Sequence, residues 1–189
     1  AAVPIIGFAA PLSKVALQDV RTYHDRMYVP ENMVFVVVGD VDGEAALARA
    51  CKAFTGFRRG RVPDLSLPAA RPLPGVLRTV RAHTGLKETM EEISFQSICL
   101  FSRDLHALDV LSTILSSGES SRLEAKVRRD LKLVTSIDSS SWTPDWGTGI
   151  FNISFRSEPG KADEAEKAIC QQLSEVADKG VTDAELARA

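Results

Sequence analysis

The side chains that could carry chemistry are sparse and widely separated in this sequence of 189 residues. His24, His83 and His106 each lack a second histidine or a glutamate at helical spacing, so no helical pair of zinc ligands is predicted. Glu91 and Glu92 are adjacent, and neighbouring residues of a strand point to opposite faces, which excludes a carboxylate pair. Gly-x-Ser-x-Gly, P-loop and dinucleotide-binding motifs are also missing from the sequence. The residue types alone therefore predict no active site.

The composition is that of an ordinary globular protein. Hydrophobic residues make up 44% and charged residues 25% of the chain, and the formal net charge is −2 at pH 7. This balance gives no electrostatic attraction for nucleic acid, and no apolar run approaches the ~18 residues of a membrane span. The three cysteines lie far apart among apolar neighbours, which predicts buried thiols and neither a disulfide nor a metal site.

The first part of the chain predicts a helix, a strand and a second helix. Apolar residues recur at helical spacing over residues 14–28, and Pro30 ends that helix. The continuous apolar run 33–38 predicts a strand that is covered on both faces. Asp42 is placed to cap the helix that follows, in which apolar residues again recur every three or four positions up to Phe54.

A stretch rich in arginine and proline separates this part from the rest. Residues 58–81 hold six arginines, one aspartate and four prolines. Such a stretch predicts an extended connection between two globular parts, which we place at residues 58–78. A basic patch for an anionic partner is the alternative, although the stretch lacks aromatic residues for stacking on bases.

The remainder predicts a second unit with helices and antiparallel strands. One or two strands are predicted within residues 79–101, followed by helices over 105–115 and 123–131. A hairpin of strands 133–141 and 149–156 comes next, then a helix through residues 165–176 and a capping box from Thr182 to Glu185. The order β-α-α-β-β-α-α favours an α+β fold with helices on one face of a largely antiparallel sheet. The start at Ala1 without methionine and the helix begun at Thr182 lead us to expect a piece of a longer protein.

Three sequence blocks, in this order, resemble the insulinase/pitrilysin zinc peptidases, and the likeness is closest to the branch of the mitochondrial processing peptidase and its bacterial relatives. The blocks are YVPENMVFVVVGDVD at 28–42, LSTILSSGESSRLEAKVRRDLKLVTS at 111–136 and KGVTDAELARA at 179–189. The resemblance implies a two-lobed subunit that is built from two similar halves. Residues 1–57 would be the tail of the first, zinc-bearing half, and residues 79–189 would be most of the second half.

The resemblance also implies where the zinc lies. In such peptidases an inverted His-x-x-Glu-His and a distant glutamate hold zinc in the first half, and these motifs would precede Ala1. We therefore expect zinc in the parent protein and none in this chain. The implied partners are peptide substrates and another subunit of the family, with no nucleic acid and no membrane span. Bacterial relatives of this kind are often proteins of the cell envelope, so a periplasmic location is expected if the source is bacterial.

One residue is implied to contact the substrate. Second halves of the family lend an arginine that steadies the substrate backbone and a tyrosine that stabilises the tetrahedral intermediate. The arginine corresponds to Arg128, whereas Thr135 stands at the tyrosine position and Lys132 replaces the usual glycine. Arg128 could instead be a solvated charge beside Lys126 and Arg129. The threonine fits either a zinc-bearing subunit whose partner supplies the pair, or an inactive member that acts as a peptide-binding or scaffold subunit.

Overall fold

A computed structural model describes residues 6–61 and 70–189, and these ranges fall in two separate units of the chain. The elements of the first unit are α1 (Ala9–Leu12), α2 (Leu17–Met27), a 3₁₀ turn (Pro30–Asn32) and α3 (Gly43–Ala53). Those of the second are β1 (Thr89–Gln96), α4 (Leu105–Ser116), a π-helical segment (Glu124–Asp130), β2 (Ser136–Trp142), β3 (Ile150–Ser157), α5 (Ala162–Lys179) and α6 (Asp183–Arg188). The second unit has the predicted order of elements. Residues 62–69 of the predicted connection lie outside the described residues, so its boundaries stay a prediction.

The two predicted helices of the first unit are present and end for the expected reasons. Helix α2 stops before Pro30, and the side-chain amide of Asn32 donates to the carbonyl of Met27 at 2.9 Å, which satisfies one of the free carbonyls at the helix end. Helix α3 starts after Asp42, whose carboxylate accepts the backbone N–H of Ala45 at 3.1 Å. The capping role that the sequence assigned to Asp42 is therefore confirmed.

The predicted strand over residues 33–38 is not formed. The backbone is extended at Met33, but residues 33–38 pair with no other strand, and Val34 is 91% exposed. Among these residues Phe35 makes an aromatic contact with Phe54 beside the end of α3, at 6.0 Å between ring centroids. An apolar run indicates burial between layers, but a strand also needs a neighbour for its backbone groups, and residues 6–61 contain no second strand.

A three-stranded antiparallel sheet organises the second unit. Its strand order is β1-β3-β2, so β3 is central and the predicted hairpin of β2 and β3 is confirmed. Side chains alternate along β3: Phe151, Ile153 and Phe155 are buried, whereas the residues between them face the opposite side. The helices cover only the buried face, which confirms the α+β fold with helices on one side of the sheet. Within residues 79–101 a single strand, β1, is present.

The core lies between the buried face of the sheet and the helices. Its fully buried members include Leu115 of α4, Leu123 and Val127 of the π-helical region, and Ile169 of α5. A buried hydrogen bond of 2.9 Å between the hydroxyls of Ser116 and Ser139 also ties α4 to β2. The three cysteines are unpaired as predicted, but the prediction of burial is wrong, because Cys51 and Cys170 are exposed and Cys99 is half-buried.

Candidate functional site

Arg128 lies on a π-helical segment that is anchored through its opposite face. The backbone N–H of Leu131 donates to the carbonyl of Lys126 at 3.1 Å, one residue further back than in an α-helix. Leu123 and Val127 are both fully buried and fix this segment against the core. Arg128, next to the buried Val127, lies on the exposed side of the segment. π-Helical turns occur frequently at functional sites, which makes this segment a candidate.

The guanidinium of Arg128 is engaged with its own helix. Its Nη1 donates to Oε2 of Glu124 at 2.9 Å, and the Arg128 side chain is 49% exposed. Glu124 is mostly buried, so the pair sits at the border of core and solvent. An ion pair this accessible contributes little to stability and leaves the guanidinium free to change partners.

Thr135 lies just before β2, and its hydroxyl is already hydrogen-bonded. Its Oγ1 donates to Oε1 of Glu88 at 2.8 Å and lies 3.3 Å from the carbonyl oxygen of Arg156. Its backbone N–H also donates to that carbonyl at 2.7 Å. Thr135, the residue at the tyrosine position, thus bonds to Arg156 of β3 at the end of the hairpin. The roles implied for Arg128 and Thr135 stay predictions.

Lys132 adopts a backbone conformation that favours glycine. Its φ angle is 53°, and it is the only residue other than glycine with positive φ in the part of the chain that the structure describes. The resemblance places a glycine here, and the left-handed turn between the π-helical segment and β2 explains why. The ammonium of Lys161 donates to the carbonyl of Lys132 at 3.3 Å, a contact that does not depend on the Lys132 side chain.

Replacing Lys132 with glycine is expected to raise the free energy of unfolding by about 1 kcal/mol, because a Cβ in the left-handed region costs about that much. Lys132→Ala keeps the Cβ and should change stability by less than about 0.5 kcal/mol. Lys126→Gly, within the π-helical segment, is the matched control and should lose about 1 kcal/mol. Urea unfolding measures all three variants. A loss of stability in Lys132→Gly would show that the left-handed backbone conformation of Lys132 is not strained.

A partly buried ion pair, which the sequence did not reveal, joins two of the three sequence blocks. The Nε and Nη2 atoms of Arg122 donate to the two carboxylate oxygens of Glu185 at 2.8 and 2.7 Å, and the side chains are only 14% and 15% exposed. Glu185 also accepts the backbone N–H and the hydroxyl of Thr182, which confirms the capping box. The hydrogen bonds from Arg122 are the main reason that the pKa of Glu185 is lowered to about 2.

A second ionic cluster attaches the start of the second unit to β1 and α5. The Arg78 guanidinium donates to Glu166 at 2.7 Å and to Asp163 at 3.1 Å, and it lies 3.7 Å from the carboxylate of Glu91. Burial, followed by the nearby charge of Glu166, raises the pKa of Glu91. Glu91 faces the helices while Glu92 faces away, so the prediction that these neighbours cannot act as a pair is confirmed.

The sequence of this chain matches a known protein family. The family model of the peptidase M16 inactive domain matches residues 14–189, nearly the whole chain. The chain belongs to the peptidase M16 family. This confirms the resemblance to the insulinase/pitrilysin peptidases, and the family model assigns these residues to the M16 inactive domain.

Relatives of this M16 domain include proteins that are named as zinc proteases. A Streptomyces coelicolor protein described as an uncharacterized zinc protease is 29% identical over 98% of this chain, which covers 41% of that protein. The M16 inactive domain from Pseudomonas fluorescens shares the fold with a TM-score of 0.80 at 21% identity, over 96% of this chain and 43% of that one. A chain of complex III2 from Candida albicans also shares it, with a TM-score of 0.79 at 20% identity, over 99% and 45%. The M16 domain therefore spans about two fifths of the curated relative.

The histidines of this M16 domain are not gathered into a metal site. The His24 ring stacks on Tyr28 at 4.7 Å, and Nδ1 of His83 accepts the backbone N–H of Gly85 at 3.2 Å. Residues 6–61 and 70–189 contain no cluster of three or more histidine, cysteine, aspartate or glutamate side chains that could hold a metal ion. The helices of the same ranges also include none with the length and apolar character to cross a bilayer.

Proposed function

We propose that this chain is part of a zinc metalloendopeptidase and supplies the end of the zinc-bearing half and most of the second half, without any of the zinc ligands. In this proposal residues 1–57 end the zinc-bearing half, residues 58–78 connect the halves, and residues 79–189 form most of the second half. The second unit is then a wall of a chamber that encloses unfolded peptides, and its outer surface contacts another subunit of the family.

The observation that carries this proposal is the family match over residues 14–189, together with relatives of similar sequence that bear the name zinc protease. Within residues 6–61 and 70–189 the histidine, cysteine, aspartate and glutamate side chains are too dispersed to form a zinc-binding cluster. We therefore assign the zinc to the rest of the parent protein and derive no chemical step through it. The part left to this chain is to shape the chamber and to contact the substrate backbone through Arg128.

The contacts of Thr135 favour a second candidate, in which the parent is an inactive subunit that binds peptides or serves as a scaffold. The Thr135 hydroxyl is engaged with Glu88 and Arg156, and Arg128 is paired with Glu124. The Thr135 hydroxyl and the Arg128 guanidinium thus already have partners within the chain, without a substrate. The shared fold with a chain of complex III2 fits a role within a larger assembly.

Peptide hydrolysis by the full-length parent protein separates the two candidates. We expect hydrolysis of an unstructured peptide that stops when a chelator removes the metal and returns when zinc is added. Wild-type protein that binds the peptide without cleaving it, and is indifferent to the chelator, would overturn the first candidate and support the second.

The role of Arg128 is tested in the same assay. Arg128→Ala is expected to lower kcat/KM about tenfold, because a charge-assisted hydrogen bond to the substrate backbone is lost. Arg128→Lys should recover part of this loss. The matched control is Arg129→Ala, which removes a neighbouring exposed arginine and should leave kcat/KM within about twofold. Equal effects of the two alanine variants would show that Arg128 acts only as surface charge.

A further inference from the structure

The face of the second unit's sheet that lies opposite the helices is polar along most of its length, and only Gln96, on its β1 side, is hydrogen-bonded to the backbone of Arg71 and Leu73 among the contacts of the second unit. On the central strand β3, Ile150, Asn152, Ser154 and Arg156 point to this open face. The register places each of them between a residue of β1 and a residue of β2, so the face consists of parallel rows of three side chains.

One end of the open face is aromatic. The row of Ile150 ends in Trp142 on β2, and Trp146 of the following turn lies against it, with ring centroids 5.9 Å apart and an angle of 70° between the ring planes. The tryptophans are 50% and 63% exposed. Exposed, rigid aromatic side chains of this kind are frequent anchors for the apolar side chains of binding partners.

Two rows further along, the open face is acidic and concave. The row of Ser154 has Glu92 on one side and Asp138 on the other, and both carboxylates are exposed. They flank a depression of about 310 Å³. Arg156 belongs to the next row and bounds the depression, so the two carboxylates and one guanidinium leave one negative charge in excess. A single cationic side chain complements this charge.

We propose that the open face binds an extended peptide that carries a large apolar residue and a basic residue four positions apart. The apolar side chain packs on Trp142 and Trp146, and the basic side chain enters the depression between Glu92 and Asp138. The proposal rests on the proposed function, since it specifies which peptides the chamber wall prefers.

The spacing follows from the geometry of strands. Ile150 and Ser154 are four residues apart on β3, or about 13 Å, and both face the same side. An extended peptide that runs along β3 repeats this distance, and its residues i and i+4 also face one side. A basic residue three positions from the apolar one would point away from the sheet. The order of preference among peptides is therefore set by spacing as well as by charge.

The two tryptophans provide a direct measurement, because they are the only ones in the chain. Tryptophan emission of the 189-residue chain is titrated with a short unstructured peptide that has phenylalanine and lysine four positions apart. We expect a saturable shift to shorter wavelength as the peptide displaces water from the rings. Placing the lysine three positions from the phenylalanine instead of four, or replacing the lysine with glutamate, should weaken binding about tenfold. No emission change with any peptide, or equal affinity for the lysine and glutamate peptides, would overturn the proposal.

Charge-neutral variants test the depression while the fluorescent reporter stays intact. The double variant Glu92→Gln, Asp138→Asn should bind the lysine and glutamate peptides with affinities within about threefold of each other. The control Glu164→Gln, Asp178→Asn removes the same charges from exposed positions on α5, outside the open face, and should keep the tenfold preference. If the control loses the preference as well, net charge and not the depression determines binding, and the proposal fails.

The binding assay is independent of hydrolysis, which keeps the two proposals distinguishable. Peptide binding with the predicted preference, in a parent that does not hydrolyse peptides, would support the open face and contradict the peptidase. Chelator-sensitive hydrolysis by a parent whose isolated chain shows no preference would do the opposite.

Discussion

Replacing Arg122 with alanine is expected to lower the free energy of unfolding by about 3 kcal/mol at neutral pH, because the carboxylate of Glu185 would stay largely shielded from solvent without its cation. The matched control is Lys126→Ala, which breaks an ion pair with Asp130 whose side chains are 60% and 54% exposed. That change should cost less than about 0.5 kcal/mol. Urea unfolding at equal protein concentration compares the two variants. Similar losses in both would show that burial does not strengthen the Arg122–Glu185 pair.

The Arg122–Glu185 pair also makes the free energy of unfolding depend on pH in the acidic range. The pKa of Glu185 is about 2 in the folded chain against an ordinary value of 4.5, so the folded state binds this proton less tightly than the unfolded chain does. The stabilisation is therefore complete above about pH 4.5 and is lost as the pH falls towards 2, by roughly 3 kcal/mol in total. Glu185→Gln should flatten this part of the curve of unfolding free energy against pH. An unchanged slope in that variant would assign the acid sensitivity to other groups.

Replacing Gly149 with alanine is expected to cost about 4 kcal/mol or to prevent folding of the second unit, a large effect for a single methyl group. Gly149 accepts the N–H of Ser97 at 2.9 Å and donates to the carbonyl of Ile98 at 3.0 Å, which extends the pairing of β1 with β3. A Cβ at this position would overlap the carbonyl oxygens of Ile98 and Trp142. Because both obstacles are backbone atoms, the strands must separate to admit it.

Gly147 provides the control in the same turn. A Cβ at Gly147 meets nothing within 4 Å, so Gly147→Ala should stay within about 0.5 kcal/mol of the wild type. Thermal unfolding and the near-ultraviolet circular dichroism of the adjacent tryptophans measure both variants. A stable Gly149→Ala protein with an unchanged tryptophan signal would contradict the close packing of the turn.

The order of elements in the second unit could be predicted because each element is specified by its own residues. The alternation along β3 and the leucine spacing of α4 are local patterns, and both elements formed close to their predicted limits. The run 33–38 shows the opposite case, since its apolar residues indicate burial but its backbone lacks a neighbouring strand among residues 6–61. Local pattern is thus sufficient for an element only when its partners are present.

The site was less predictable, because its contacts join residues that are distant in sequence. Arg122 and Glu185 each had a local explanation, as part of a helix start and as part of a capping box, and neither pattern indicates the other. The π-helical segment was also missed, since one extra residue per hydrogen-bonded ring is not visible in so short an apolar pattern. Lys132 did have a signal: a lysine at a position where the family carries glycine points to a left-handed turn.

The attachment of Arg78 has a consequence for handling the protein. Charged contacts hold this segment, while the nearby Val76 and Leu77 are exposed and contribute little packing. Electrolyte weakens such contacts far more than it weakens an apolar interface. Concentrated salt should thus loosen the segment from β1, which is an edge strand of the sheet, and an edge strand freed of neighbouring residues invites pairing between molecules. Buffers of low ionic strength should therefore keep the protein from aggregating.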